Sequence, residues 1–244
     1  EGVLVSLLSV GTAIGALGGS YLADFLGRRR AMQWEVLVFI IGVIIQITSE
    51  HAWYQISIGR FVTGLGVGAL SSAVPVYQSE TVPRQIRGTL VGTYQWAITA
   101  GILIAYLINL GTNDMGGSGE WRIPIGIGLA FSLVLGIGIQ FCPESPRWLA
   151  ARGRHEEARR SVAIVRGKKV EDHDPYVEAE FYEILQAVKA EEKMPAAGWA
   201  DCFVPQGKTL YRTLLGMTLQ AGQQFTGANS FFYYGTQIFV SVGL

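Results

Sequence analysis

The hydrophobic positions of this chain come mostly as long runs rather than as amphipathic stripes. Apolar segments cover roughly 3–23, 31–49, 53–78, 88–110, 122–141 and 211–240, each near or above the roughly 20 residues that an α-helix needs to cross a bilayer core. One long polar stretch, 143–210, separates the fifth run from the sixth. It begins "PESPRW". Within it "RHEEARRSVAIV" and "YVEAEFYEILQAVKAEEK" show helical spacing with mixed charge, and "EDHDPY" and "KMPAAG" interrupt it. The pattern predicts an all-α membrane protein in three parts: a bundle of five spans at 1–142, a small helical domain in water at 143–210, and a further span at 211–244.

Charge placement gives the spans a direction. Arg28, Arg29 and Arg30 fill the first connection, Arg84 and Arg87 the third, and the polar stretch holds eleven more basic residues, so sixteen of the 19 lie on one side. The second and fourth connections, near "SEHAW" and "GTNDMGGSGE", hold none. Basic residues concentrate in cytoplasmic loops, so the arginine-rich side is inside and each segment crosses once. Composition agrees: half the residues are hydrophobic and 16% are charged, against about a quarter charged in soluble domains. A net charge of zero names no partner. Cys142 and Cys202 have no metal-ligand spacing and make no disulfide framework. The first run has neither a basic n-region nor a cleavage site, which argues against a signal peptide. With no initiator Met and an end inside an apolar run, the chain reads as a fragment.

Several stretches stand out chemically. "GLGVG" at 64–68 has the glycines of a dinucleotide loop but follows no strand, and inside a span small residues let helices approach closely. Arg60 lies about two turns inside the outer end of its span, where an ionised group faces a cavity or a partner, or snorkels. Glu35 lies near the inner end of the second span, within snorkelling reach. "HEEAR" at 155–159 lacks the second histidine of a zinc-binding HExxH. The residues give no support to an enzyme, a cofactor, a metal or a nucleic-acid partner.

The last apolar run is unusually rich in uncharged polar groups. Gln220, Gln223 and Gln224 share one helical face, with Gly227 one turn on and Tyr234 near it after three turns. Gly227 and Asn229 make a weak point of the kind transporters use where backbone lines a cavity. On the fourth run Gln95 shares a face with Gly88, Gly92, Thr99 and Ile102. Amides both donate and accept, matching the hydroxyls of a neutral polyol, whereas a charged substrate calls for a charged partner or a helix end. Interhelical glue is the plainer role for such amides, and an interfacial aromatic belt for the tyrosines.

"GRFVTGLGVGALSSAVPVYQSETVPRQIRG", "PESPRW" and "QQFTGANSFFYY", in this order and spacing, resemble the sugar porters of the major facilitator superfamily, and fungal hexose transporters among them, over essentially the whole chain. The resemblance implies a twelve-span fold of two six-helix bundles joined by an intracellular helical domain, of which this chain supplies spans two to seven. It implies transport of a monosaccharide, glucose or another hexose, by alternating access in the plasma membrane, with the lipid bilayer around it and a proton as a conceivable co-substrate. Gln95, Gln223, Gln224 and Asn229 match positions that contact sugar in the family, Ile98 and Ile102 its apolar cavity wall, and Tyr233 and Tyr234 its outer gate. Arg60 matches the arginine that faces a first-span acid in proton-coupled members. Asp24, Arg28, Arg29, Glu80, Arg87, Glu144 and Arg147 match its cytoplasmic charge network, although Ser20 and Phe25 depart from the pattern around Asp24. A glucose sensor that does not transport, and a porter for a pentose, inositol or quinate, are the alternatives. Facilitator and symporter are not separated.

Overall fold

The computed structural model describes residues 2–49, 53–83, 85–112, 117–168, 174–193, 202–203 and 209–227. Among these residues all regular structure is helical, and the chain divides into two compact units, Glu1–Lys189 and Ala190–Leu244. Five helices of the first unit are long and apolar enough to cross a membrane: α1 (Gly2–Leu26), α2 (Arg28–Ile47), α3 (Trp53–Thr81), α4 (Arg87–Thr112) and α5 (Gly119–Phe141). The shortest, α2, has 20 residues, or about 30 Å at the usual 1.5 Å rise. Three shorter helices follow, α6 (Pro146–Ala151), α7 (His155–Val165) and α8 (Pro175–Glu192). The second unit contains α9 (Thr209–Phe225). The sixth apolar run is thus helical as far as Phe225, and its continuation to 240 lies outside the described residues.

Small residues set the bundle. Gly11, Gly15, Gly19 and Ala23 recur every fourth position on the buried face of α1. A Cβ added at Gly11 would meet the Phe61 carbonyl, one at Gly15 the Leu65 carbonyl, and one at Gly19 the Ala69 Cα. Sequence numbers on the two helices rise together, so α1 and α3 are parallel. Between α2 and α3 they run oppositely: Gly66 abuts Phe39, Gly42 abuts Thr63, and Gly59 abuts Gln46. This alternation of direction is the one the charged connections require of successive spans. The "GLGVG" run now has a reason, because Gly64 and Gly68 face α1 while Gly66 faces α2. The α2–α3 seam also carries a buried polar link, in which Gln46 Nε2 donates to Thr63 Oγ1 at 2.6 Å and Thr63 Oγ1 donates to the Gly59 carbonyl at 2.7 Å.

Met32, Val36, Ala73 and Ile139 form a core where α2, α3 and α5 meet, with Tyr77 against it. At the opposite end Arg122, stacked on Trp121 at 5.1 Å, donates from Nη2 to the Ser49 carbonyl at 3.1 Å, tying the start of α5 to the end of α2. The helices α6, α7 and α8 have an apolar centre of their own, built from Leu149, Ala150, Ala158, Phe181 and Val188. Their spacing on α8, with Val177, Phe181 and Val188 buried, is the amphipathic helical stripe that the long runs lack.

Glu35 does not snorkel. It is 2% exposed and reaches toward Gly19 of α1, and neither carboxyl oxygen has a hydrogen-bond partner among the described residues. The near-inner position suggested reach to water, but small residues on α1 and α3 let the three helices close over the side chain.

Candidate functional site

The turn between α1 and α2 is built around Gly27. Its φ of 95° lies in the left-handed region that L side chains rarely adopt, and an added Cβ would stand 2.6 Å from Glu144 Oε2. This tight turn brings the N-terminus of α2 onto the segment after α5. There Glu144 Oε1 accepts from the backbone N–H of Arg29 and of Ser145, both at 3.0 Å. Ser145 caps α6, with Pro146 in its first turn, and accepts from the Trp148 N–H at 3.2 Å. Its hydroxyl also donates to Glu80 Oε2 at 2.6 Å.

Glu80, near the end of α3, is the hub. Arg28 donates to it from Nε at 2.9 Å and from Nη2 at 3.1 Å, the two-pronged geometry that makes arginine–carboxylate pairs strong. The pair is largely enclosed, with Arg28 13% and Glu80 10% exposed. Arg28 Nη1 also reaches Asp24 Oδ1 at 3.0 Å, but Asp24 is 73% exposed, so that contact is a surface pair worth at most about 1 kcal/mol. The structure thus brings Asp24, Arg28, Arg29, Glu80 and Glu144 together at one end of the bundle.

Arg87 and Arg147 take a different position. With Glu80 they line a cavity of about 90 Å³ whose other wall includes Glu180 and Glu183 of α8. Arg87 Nη2 donates to the Val82 carbonyl at 3.3 Å, and Arg87 Nε has no partner among the described residues.

Several members of this cluster carry no charge, and a search for charges passes over them. Ser145 is one. Tyr77 donates to the Pro143 carbonyl at 2.7 Å, Ser161 to the Glu144 carbonyl at 2.5 Å, and Trp148 Nε1 to the Asp24 carbonyl at 2.9 Å. The sequence signal for Ser145 was its place before Pro146 at a helix start. Nothing in the sequence marked Tyr77 or Ser161.

The polar face of α9 is exposed in its own unit, including Gln220, Gln223 and Gln224. Among the described residues α9 ends at Phe225, just before Gly227. Thr226 Oγ1 donates to the Gln223 carbonyl at 2.6 Å, the Gly227 N–H donates to the Gln224 carbonyl at 3.1 Å, and Gly227 takes a left-handed φ of 72°. In the first unit Gln95 is exposed on α4, Ile98 is 40% exposed and Ile102 half-buried. Arg60 is half-buried on α3 and makes no hydrogen bond or ion pair among the described residues. Asn229, Tyr233 and Tyr234 lie outside the described residues.

Outside the spans, Arg154 donates to Glu157 from Nε at 2.7 Å and from Nη2 at 2.5 Å. These bonds hold the Glu157 carboxyl below the usual carboxylate range. A depressed carboxyl contributes stability that is fully present above its unfolded value and is lost as pH falls through its lower folded value. Glu157→Gln is therefore expected to lower the thermal midpoint slightly at neutral pH, with the gap to the parent closing as pH falls below about 4. A gap that stays constant over that range would contradict this.

Parallel and antiparallel span-length helices, with a glycine-turn charge cluster at one end, define a multi-pass membrane protein of the major facilitator fold. The chain belongs to the family described as "Sugar (and other) transporter", whose model matches residues 1–244. It is 45% identical over 243 residues to the high-affinity hexose transporter HXT6 of Saccharomyces cerevisiae, covering 100% of this chain and 42% of that protein. It is 44% identical to hexose transporter 2 of Kluyveromyces lactis, covering 100% of this chain and 43% of the relative. Among solved structures, the proton:xylose symporter XylE bound to 6-bromo-6-deoxy-D-glucose superposes with a TM-score of 0.80 at 25% identity, covering 99% of this chain and 53% of that one. The chain therefore spans about two fifths of the curated relatives it matches.

Proposed function

We propose that the protein containing this chain carries a monosaccharide, glucose or another hexose, across the plasma membrane by alternating access. The observation that carries the reading is the 45% identity to a hexose transporter over the whole chain. The local chemistry is consistent with it. The face of α9 offers Gln223 and Gln224, and α4 offers Gln95, uncharged groups that both donate to and accept from hydroxyls. In this reading those amides, with Asn229, hold the sugar, Ile98 and Ile102 form an apolar wall, and Tyr233 and Tyr234 close the outer side. The turn at Gly227, just after α9, is the place where the chain bends during closure. The charge cluster around Glu80 stabilises the arrangement in which the inner side is shut. The division into spans 1–142, an intracellular helical domain 143–210 and a span of the second bundle at 211–244 belongs to the same proposal.

Gln224→Ala in the full-length protein is expected to weaken sugar affinity tenfold or more, roughly 1.4 kcal/mol. Unchanged affinity at normal surface expression would remove Gln224 from the site. A co-transported proton is the second reading. It is favoured by Arg60, a half-buried cation without a bond among the described residues, and by the likeness to a proton:xylose symporter. In that reading Arg60 faces an acid elsewhere in the whole protein, and a protonophore abolishes uptake.

A further inference from the structure

A second cavity at the arginine-rich end has a chemistry that sugar transport does not use. It holds about 270 Å³ between the α1–α2 turn, the end of α5, α6 and the start of α7. That is many times the roughly 30 Å³ share of one water and just under the range of small-molecule sites, about 300–1,000 Å³. Arg29, Arg30 and Arg154 line it, together with the amides of Gln33 and Gln140.

Its two carboxylates are both hydrogen-bonded. Glu144 Oε1 accepts two backbone N–H groups, and Glu157 is held by both prongs of Arg154. The Arg29 guanidinium donates only to a neutral group, the Gln140 carbonyl at 2.6 Å, and Arg30 is exposed with no hydrogen bond or ion pair among the described residues. Three arginines against two carboxylates leave the lining one positive charge in excess, and neither Arg29 nor Arg30 forms a side-chain ion pair among the described residues. Beside the lining residues in sequence, Phe25, Trp34 and Phe141 are exposed apolar groups, as expected at the boundary between hydrocarbon and water.

We propose that this cavity binds a phosphorylated polyol ring. The phosphate sits against Arg29 and Arg30, and ring hydroxyls hydrogen-bond with the Gln33 and Gln140 side chains. Arginine forks suit phosphate oxygens, and amides suit hydroxyls. Such a ring reaches the site from two sources, an inositol phospholipid of the cytoplasmic leaflet or a soluble sugar phosphate. Basic pockets between spans on that side are known to take phosphoinositide head groups. The proposal stands on the cavity alone and does not depend on which sugar is carried.

The test is titration calorimetry on the detergent-purified full-length protein with four probes: dioctanoyl phosphatidylinositol 4-phosphate, inositol 1-phosphate, glucose 6-phosphate and inorganic phosphate. At least one phosphorylated ring is expected to bind more tightly than inorganic phosphate. Arg30→Gln, which removes no hydrogen bond among the described residues, is expected to weaken that binding about fivefold, and Arg30→Gln with Arg29→Gln about 25-fold, at about 1 kcal/mol per arginine. Binding of the lipid alone identifies the membrane as the source, and binding of a soluble ring as tight as that of the lipid identifies the cytosol. If no ring outbinds inorganic phosphate, or if Arg30→Gln leaves the affinity unchanged, the proposal is wrong. Sugar uptake by Arg30→Gln reports separately on the transport reading.

Discussion

Glu80→Ala is expected to destabilise the full-length protein by about 3 kcal/mol, the lower end of the range for removing one partner of an enclosed ion pair. The cost comes from what is left behind. Arg28, 13% exposed, would lose both prongs of its carboxylate, and the Ser145 hydroxyl would lose its acceptor at the cap of α6. Asp24→Ala removes a contact to the same arginine but from an exposed position, so it is expected to cost no more than about 1 kcal/mol. The midpoints of thermal unfolding of the two purified variants decide the matter. Equal shifts would mean that Glu80 is no hub. Arg28→Ala combined with Glu80→Ala is expected to cost less than the two single losses together, since the pair shares one interaction.

Gly68→Val is expected to cost about 3 kcal/mol or to abolish folded protein altogether. A Cβ there would stand 2.0 Å from the Thr12 carbonyl oxygen, 2.7 Å from its carbon and 2.8 Å from its Cα. These are backbone atoms of a neighbouring helix and no side-chain rotation relieves the overlap, so α1 and α3 must separate along a seam in which Gly64 and Gly68 are both closely approached. Overpacking a close-packed interior costs about 1–3 kcal/mol, and a contact on backbone belongs at the upper end. Gly18 supplies the control. It lies on the exposed side of α1 with open space where its Cβ would be, so Gly18→Ala is expected to leave the folded yield unchanged. Comparable losses for both would mean that the helix backbone, rather than the α1–α3 seam, is sensitive to added bulk.

Reading the spans from sequence worked because length and apolarity are local properties. Five apolar runs coincide with helices, with ends displaced by up to three residues at polar borders such as Arg28 and Thr81, and the sixth is helical as far as Phe225. Direction was legible too, since the arginines mark one side and the glycine pairings run the way that alternation demands. The charged members of the Glu80 cluster could be picked out through the family resemblance. Their geometry could not, because it depends on which helix ends the glycine turn brings together. Tyr77 and Ser161 illustrate the loss, each donating a hydrogen bond to a carbonyl within the PESPRW segment. Glu35 illustrates another. Its distance along the helix from water was readable, but not the closure of Gly19 and Ala69 over it.

The central claim is that the full-length protein moves a hexose. The most direct measurement is uptake of labelled glucose by that protein in cells lacking their own hexose carriers, with and without a protonophore. Hexose transport predicts saturable uptake that unlabelled hexose competes away, surviving the protonophore in a facilitator and abolished by it in a symporter. Normal surface expression with no uptake of glucose or any other hexose would contradict it.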